Sequence, residues 1–178
     1  MRPIIVSLVL AVASTARAVY VDVVATGGVM TQPTSNYYHF VYGGIAEAGL
    51  ESQALMFRAG YLERPAFKAA GFIDQEFCGF AMIGTKVFAR GGDGVVSFIG
   101  WGEMTGTIER DVDAGVPSDK RRYKLPGPTL SLAYRWRLKN LSASIGHQTL
   151  IGFADKAQTE ARVAWPFNFL LLDVGWMW

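Results

Sequence analysis

The chain has 178 residues, 13% aromatic and 18% charged, and a formal net charge of +2 at pH 7. This near balance argues against nucleic acid as a partner, and the length suits a single domain. Because Cys78 is the sole cysteine, it cannot form an internal disulfide, which excludes a disulfide-stapled exported scaffold.

The first 18 residues have the pattern of an N-terminal signal peptide. Arg2 supplies the positive start, an apolar run covers 4–13, and Ala16 and Ala18 provide an A-x-A cleavage site. The apolar run is shorter than the roughly 20 residues that a membrane helix needs. We therefore expect cleavage after Ala18 and one exported domain over 19–178.

The remainder divides into eight strand-like segments of alternating apolar and polar side chains. They cover 19–29, 37–47, 52–62, 76–89, 95–107, 128–138, 141–152 and 169–178. Strand side chains alternate between two faces. On one face the last segment carries only apolar side chains: Leu170, Leu172, Val174, Trp176 and Trp178. Alternation over about 10 residues is typical of strands that cross a membrane as a barrel.

The links between these segments alternate between short and long. Short links at 48–51, 89–94 and 139–140 fall between longer links at 30–36, 63–75, 108–127 and 153–168. Outer-membrane barrels have this layout of short periplasmic turns and long extracellular loops. We therefore predict an all-β, eight-stranded antiparallel transmembrane β-barrel in the bacterial outer membrane. The alternative fold is a soluble lipocalin-like barrel with its apolar faces turned inward.

The segment 159–165, TEARVAW, also alternates and would make a ninth strand. An odd number of strands is uncommon in a bacterial single-chain barrel. We interpret this segment as part of an extracellular loop that extends the strand ladder above the membrane.

Charged side chains on the polar faces predict what fills the barrel. Four are acidic and four are basic: Asp22, Glu47, Asp173, Glu103, Arg58, Lys86, Arg135 and Arg137. The interior of an eight-stranded barrel is just wide enough for side chains, and buried charges need partners. The balanced set therefore predicts a filled, salt-bridged lumen, with a narrow pore as the alternative.

With its signal peptide, alternating strands and final aromatic residue, the chain resembles the small outer-membrane β-barrels of Gram-negative bacteria. The resemblance implies contact with outer-membrane lipid and lipopolysaccharide, and a structural or surface-binding role. It also implies recognition by the barrel-insertion machinery, with Trp176 and Trp178 as the membrane-insertion signal. We expect no cofactor and no metal site, because the two histidines stand in no metal-binding motif.

The segment GHQTL suggests a catalytic alternative. His147 and Thr149 share one face of a strand and Glu160 follows after a loop, so imidazole, hydroxyl and carboxylate could form an acyl-transfer triad. This set is similar to the site of the lipid A 3-O-deacylase barrels, which use an H-x-S pair and a later glutamate at the outer rim. Here threonine replaces the serine, and Leu150 replaces the asparagine that follows it. Otherwise, His147 and Thr149 lie near the rim and bind lipid headgroups or loop backbone.

The longest predicted loop carries a run of basic side chains: Lys120, Arg121, Arg122 and Lys124. Clustered guanidinium and ammonium groups bind phosphates well, so this run is a candidate lipopolysaccharide-binding site. The alternative is a solvated loop, balanced by Asp111, Asp113 and Asp119.

Overall fold

The structure, a computed structural model, describes most of the chain after the predicted signal peptide. The described ranges are 19–31, 38–50, 53–69, 72–90, 93–110, 120–154 and 164–178. The predicted signal peptide lies outside them, so its cleavage stays a prediction. Within these ranges no helix is both long and apolar enough to cross a membrane.

Eight antiparallel strands follow one another around a closed barrel. Their bounds are β1 Val19–Thr31, β2 His39–Leu50, β3 Met56–Ala69, β4 Phe72–Arg90, β5 Asp93–Arg110, β6 Lys120–Leu138, β7 Leu141–Phe153 and β8 Ala164–Met177. Each strand pairs with the next in sequence, and β8 pairs with β1 to close the barrel. The prediction of an eight-stranded all-β barrel is confirmed.

The alternation of side chains gives the barrel an apolar outer belt. On β8 the outward residues Leu170, Leu172, Val174 and Trp176 are 47–56% exposed, whereas the inward Leu171 is buried. The same alternation runs through the other strands, since adjacent side chains point to opposite faces. The apolar faces therefore point outward as predicted, and the lipocalin-like alternative does not fit.

Three strands are longer than the rest: β4, β5 and β6 have 19, 18 and 19 residues. The long loop predicted at 63–75 is wrong, because β3 continues to Ala69 and β4 begins at Phe72. Polar residues suggested a loop there, but these side chains pair across the two strands, as Arg64 does with Glu76.

Two other predicted loops are also shorter than expected. The strand β6 begins at Lys120, inside the predicted loop 108–127, so the basic run belongs to a strand. The strand β8 begins at Ala164, which pairs with Phe153, so the end of the alternating segment 159–165 joins the last strand. The rest of that segment lies outside the described residues.

Candidate functional site

The interior of the barrel has two layers. The layer near the chain termini is charged, and its buried members are Asp22, Glu47, Arg58, Arg135 and Asp173. The layer toward the opposite end is apolar and includes Met30, Val41, Leu62, Phe80, Met104, Leu125, Leu150, Phe167 and Phe169. Strand register produces the charged layer, since Asp22 lies opposite Glu47 and Glu47 lies opposite Arg58.

Glu47 is the centre of the charged layer. Its carboxylate accepts hydrogen bonds from both terminal nitrogens of Arg135, with Nη2 to Oε2 at 2.6 Å, and from the Tyr20 hydroxyl at 2.5 Å. A second ion pair joins Arg58 to Asp173. All four ionised side chains are at most 8% exposed, so each depends on its partner.

An aromatic ring connects the two ion pairs. The guanidinium carbons of Arg58 and Arg135 lie 5.3 Å and 6.0 Å from the centroid of Phe98, within the range of cation–π attraction. Nearby, Arg137 lies 4.2 Å from the centroid of the Tyr20 ring. These contacts bind charged side chains from several strands into one layer across the lumen.

The prediction that Glu103 faces the lumen is wrong. Its side chain lies on the outward face of β5 with Trp101 and forms an ion pair with Lys124, Nζ to Oε1 at 3.5 Å. The neighbouring inward positions are Gly102 and Met104. Charge alone suggested an inward position, but the alternation along β5 decides the face.

A second polar group near the opposite end of the barrel escaped sequence analysis. Arg64 Nε donates to Glu76 Oε2 at 2.8 Å, and the Tyr123 hydroxyl also donates to Glu76. Arg64, Glu76, Gly106 and Tyr123 lie directly opposite one another on four successive strands. The glycine leaves room for the far end of the Tyr123 ring, which a Cβ at position 106 would displace. These residues lay in, or next to, segments predicted as loops.

Gln148 is a buried amide in the middle of the lumen. Neither its Nε2 nor its Oε1 has a hydrogen-bond partner in the part of the chain that the structure describes. A buried polar group without a partner costs about 1–3 kcal/mol. The neighbouring inward side chain, Leu150, belongs to the apolar layer.

We expect Gln148→Met to raise the free energy of unfolding by about 1–3 kcal/mol, since it removes the unpaired amide at similar size. Urea unfolding of the protein in lipid vesicles measures the change. Gln148→Glu is the near-isosteric comparison and should lower stability, because it places a carboxyl group in the same surroundings. A loss of stability in Gln148→Met would show that the amide is bonded in solution.

The structure brings together two of the three residues of the predicted triad. His147 and Thr149 share the outward face of β7. The Thr149 hydroxyl donates to Asn168 Oδ1 at 3.0 Å, and no hydrogen bond joins it to His147 among the described residues. Glu160 lies outside the described residues, so the acyl-transfer triad stays a prediction.

The position of His147 near the rim is wrong. It lies in the middle of β7, directly opposite Leu132 on β6 and Leu170 on β8. Both leucines are exposed members of the apolar outer belt. The segment was placed near the rim because a polar group is expensive at mid-belt. Strand alternation sets the outward position of His147 whatever the polarity of the side chain.

The basic run divides between described and undescribed side chains. Arg122 and Lys124 are exposed on the outward face of β6, two positions apart and therefore on the same side. The side chains of Lys120 and Arg121 lie outside the described part. At the opposite end, Trp176 and Trp178 are exposed, and their role as an insertion signal stays a prediction. Within the described ranges no three His, Cys, Asp or Glu side chains form a group that could hold a metal ion.

Similar solved structures are small barrels from bacterial outer membranes. Neisserial surface protein A is 14% identical with a TM-score of 0.52, and the match covers 89% of this chain and 96% of that one. Ail, the attachment invasion locus protein of Yersinia pestis, is 8% identical with a TM-score of 0.53, covering 90% and 97%. The N-terminal β-barrel domain of Pseudomonas aeruginosa OprF is 14% identical with a TM-score of 0.51, covering 89% and 97%.

These likenesses establish the fold. The chain has the architecture of the small eight-stranded outer-membrane β-barrels, as the resemblance in sequence implied. Ail has also been solved in complex with sucrose octasulfate, a heparin analogue. No family model matches the sequence, and no curated protein matches it.

Proposed function

We propose that the protein is a structural or surface-binding barrel of the bacterial outer membrane, with a lumen closed to solutes. The observation that carries this proposal is that two successive layers of side chains fill the interior. One layer is built from ion pairs around Glu47, and the other from packed apolar side chains such as Phe167 and Phe169. An eight-stranded barrel has little interior space beyond that of its side chains.

The outer belt supports a position in a bilayer. Its middle carries side chains such as Leu132 and Leu172, and exposed aromatic rings such as Trp101 and Trp176 lie nearer its two ends. Transmembrane barrels show such an apolar band with aromatic girdles at both membrane surfaces. We propose that the machinery that inserts outer-membrane barrels is a partner and recognises the final strand with Trp178.

The outward basic residues support a surface-binding role. Arg122 and Lys124 lie together at the end of the barrel opposite the chain termini. The similar barrel Ail takes a sulfated sugar, so this fold is compatible with binding an anionic carbohydrate. We propose lipopolysaccharide, whose sugars carry phosphate, as the corresponding partner of this chain.

We expect the refolded protein to give no stable conductance in planar lipid bilayers, because both layers of the lumen are packed. Single-channel recording over a range of voltages checks this, with a water-filled porin in the same lipid as the positive control. A reproducible open state in the native protein would contradict the closed lumen and support the narrow pore.

A further inference from the structure

A groove of about 400 Å³ lies on the outer wall, beyond the apolar belt and at the end opposite the chain termini. Its floor is β5, where the side chains Thr105 and Thr107 are short. One wall is formed by Glu63, Gln75 and Phe77 on β3 and β4. The other wall is formed by Arg122 and Lys124 on β6.

Strand register sets the width of the groove. Phe77, Thr105 and Lys124 lie opposite one another in one row, and Gln75, Thr107 and Arg122 lie in the next. Neighbouring strands are about 4.8 Å apart, so the wall on β4 is about 10 Å from the wall on β6. The groove is therefore wider than a single phosphate needs and suits a ligand that reaches both walls.

The two walls differ in chemistry. On β6, Arg122 is exposed and makes no side-chain hydrogen bond or ion pair with another described residue, and Lys124 has one surface ion pair. On the facing wall, Gln75 Nε2 donates to Glu63 Oε1 at 3.0 Å, which leaves further acceptor positions on Glu63 and both donor and acceptor positions on Gln75. One wall thus suits phosphate, and the other suits hydroxyl groups.

The height of the groove places it beside lipid headgroups. Immediately toward the membrane lie Trp101 and the stacked rings of Tyr61 and Phe77, whose centroids are 5.6 Å apart. Aromatic rings of this kind mark the surface of the hydrocarbon in membrane barrels. A ligand in the groove would rest on these rings and extend away from the acyl chains.

We infer that this groove binds the phosphorylated sugar headgroup of an outer-leaflet lipid. Arg122 and Lys124 hold the phosphate, Glu63 and Gln75 bind sugar hydroxyls, and the sugar ring lies over Phe77. The inference rests on the proposed surface-binding function and deepens it, because it gives the lipid a shaped site of five binding residues beyond charge alone. A glycerol phosphate headgroup could satisfy the β6 wall but would not reach the facing wall.

The test uses the refolded protein in detergent micelles and three soluble probes, with binding measured by calorimetry. The probes are the acyl-free bisphosphorylated glucosamine disaccharide, its dephosphorylated form and glycerol 3-phosphate. We expect the bisphosphorylated disaccharide to bind most tightly. Arg122→Gln/Lys124→Gln should lower the affinity for this disaccharide about tenfold or more, through loss of charge-assisted hydrogen bonds.

Two further variants separate a shaped site from general attraction between charges. Thr107→Trp fills the groove without changing its charge and should also lower the affinity for the disaccharide. Lys139→Gln removes one positive charge from the exposed turn at the other end of the barrel and should leave the affinity unchanged. Circular dichroism checks that each variant is folded.

Three results would overturn the inference: equal affinity for glycerol 3-phosphate, full affinity in Thr107→Trp, or no binding of the disaccharide by the native protein. None of them bears on the closed lumen, which bilayer conductance tests separately. Failure of the groove and failure of the proposed function are therefore distinguishable.

Discussion

Replacement of Glu47 by alanine is expected to lower the free energy of unfolding by about 3–5 kcal/mol. Glu47 is 2% exposed and neutralises Arg135, which is 3% exposed. Without the carboxylate, the guanidinium group would remain inside the barrel with no other acid of the described residues at bonding distance, and Tyr20 would lose its acceptor. Breaking a buried pair by removing one partner is costly because the other charge stays desolvated.

Urea unfolding in lipid vesicles gives the size of this effect, and the chain offers a matched control. Glu103 also pairs with a basic residue, Lys124, but on the outer surface, where both side chains are well exposed. Exposed pairs contribute about 0–1 kcal/mol, so Glu103→Ala should have little effect. Similar losses in the two variants would mean that the charged layer inside the barrel is open to water.

A double variant tests whether the ion pair of Glu47 and Arg135 adds net stability, or whether each charge only offsets the cost of burying the other. In Glu47→Met/Arg135→Met both charges are removed together, and apolar side chains of similar length occupy the layer. Because a buried ion pair often contributes little net stability over apolar packing, the double variant should be more stable than Glu47→Ala. Equal instability would point to a specific structural need for charge in this layer.

The outward faces of the strands could be predicted from sequence because side chains alternate between the two faces with a period of two residues. In the last strand every second residue from Leu170 to Trp176 is apolar, and these are the exposed residues of β8. Asp173 breaks the apolar run on the inward face and forms an ion pair there. Regular alternation of this kind depends only on strand geometry.

The length of the strands at the end of the barrel opposite the chain termini could not be predicted from sequence. Polar side chains near a turn have the same pattern as a loop. Arg64 and Glu76 pair across β3 and β4, and Tyr123 completes the row over Gly106. These contacts depend on the register between strands whose residues are far apart in the sequence. For the same reason, the basic run was predicted as a loop, and the groove beside Arg122 and Lys124 was not predicted at all.

Whether a single charged residue faces the lumen or the outside also depends on more than its residue type. Glu103 was expected inside the barrel because it was assigned to the polar faces of the strands. It lies outside because β5 extends beyond the aromatic ring of Trp101, and Lys124 on β6 is close enough to pair with it. A charged residue therefore locates the lumen only where the strand is known to be within the bilayer.

The strongest test of the membrane position is an arginine placed in the apolar belt. We expect Leu172→Arg to lower the free energy of unfolding by about 2–4 kcal/mol in lipid vesicles. Leu172 is 56% exposed on the outward face of β8 and lies midway between Trp176 and Asn168 along that face. At this depth the guanidinium group would have to leave water for the hydrocarbon of the bilayer.

The comparison variant is Leu138→Arg, at the end of β6 beside the turn at Lys139 and Asn140. Leu138 is also exposed, but at the edge of the belt, where an arginine costs about 0–1 kcal/mol. Urea unfolding of both variants in vesicles should therefore give a difference that depends on depth. If the two substitutions cost the same, the belt does not lie in hydrocarbon, and the barrel would need another environment for its apolar outer face.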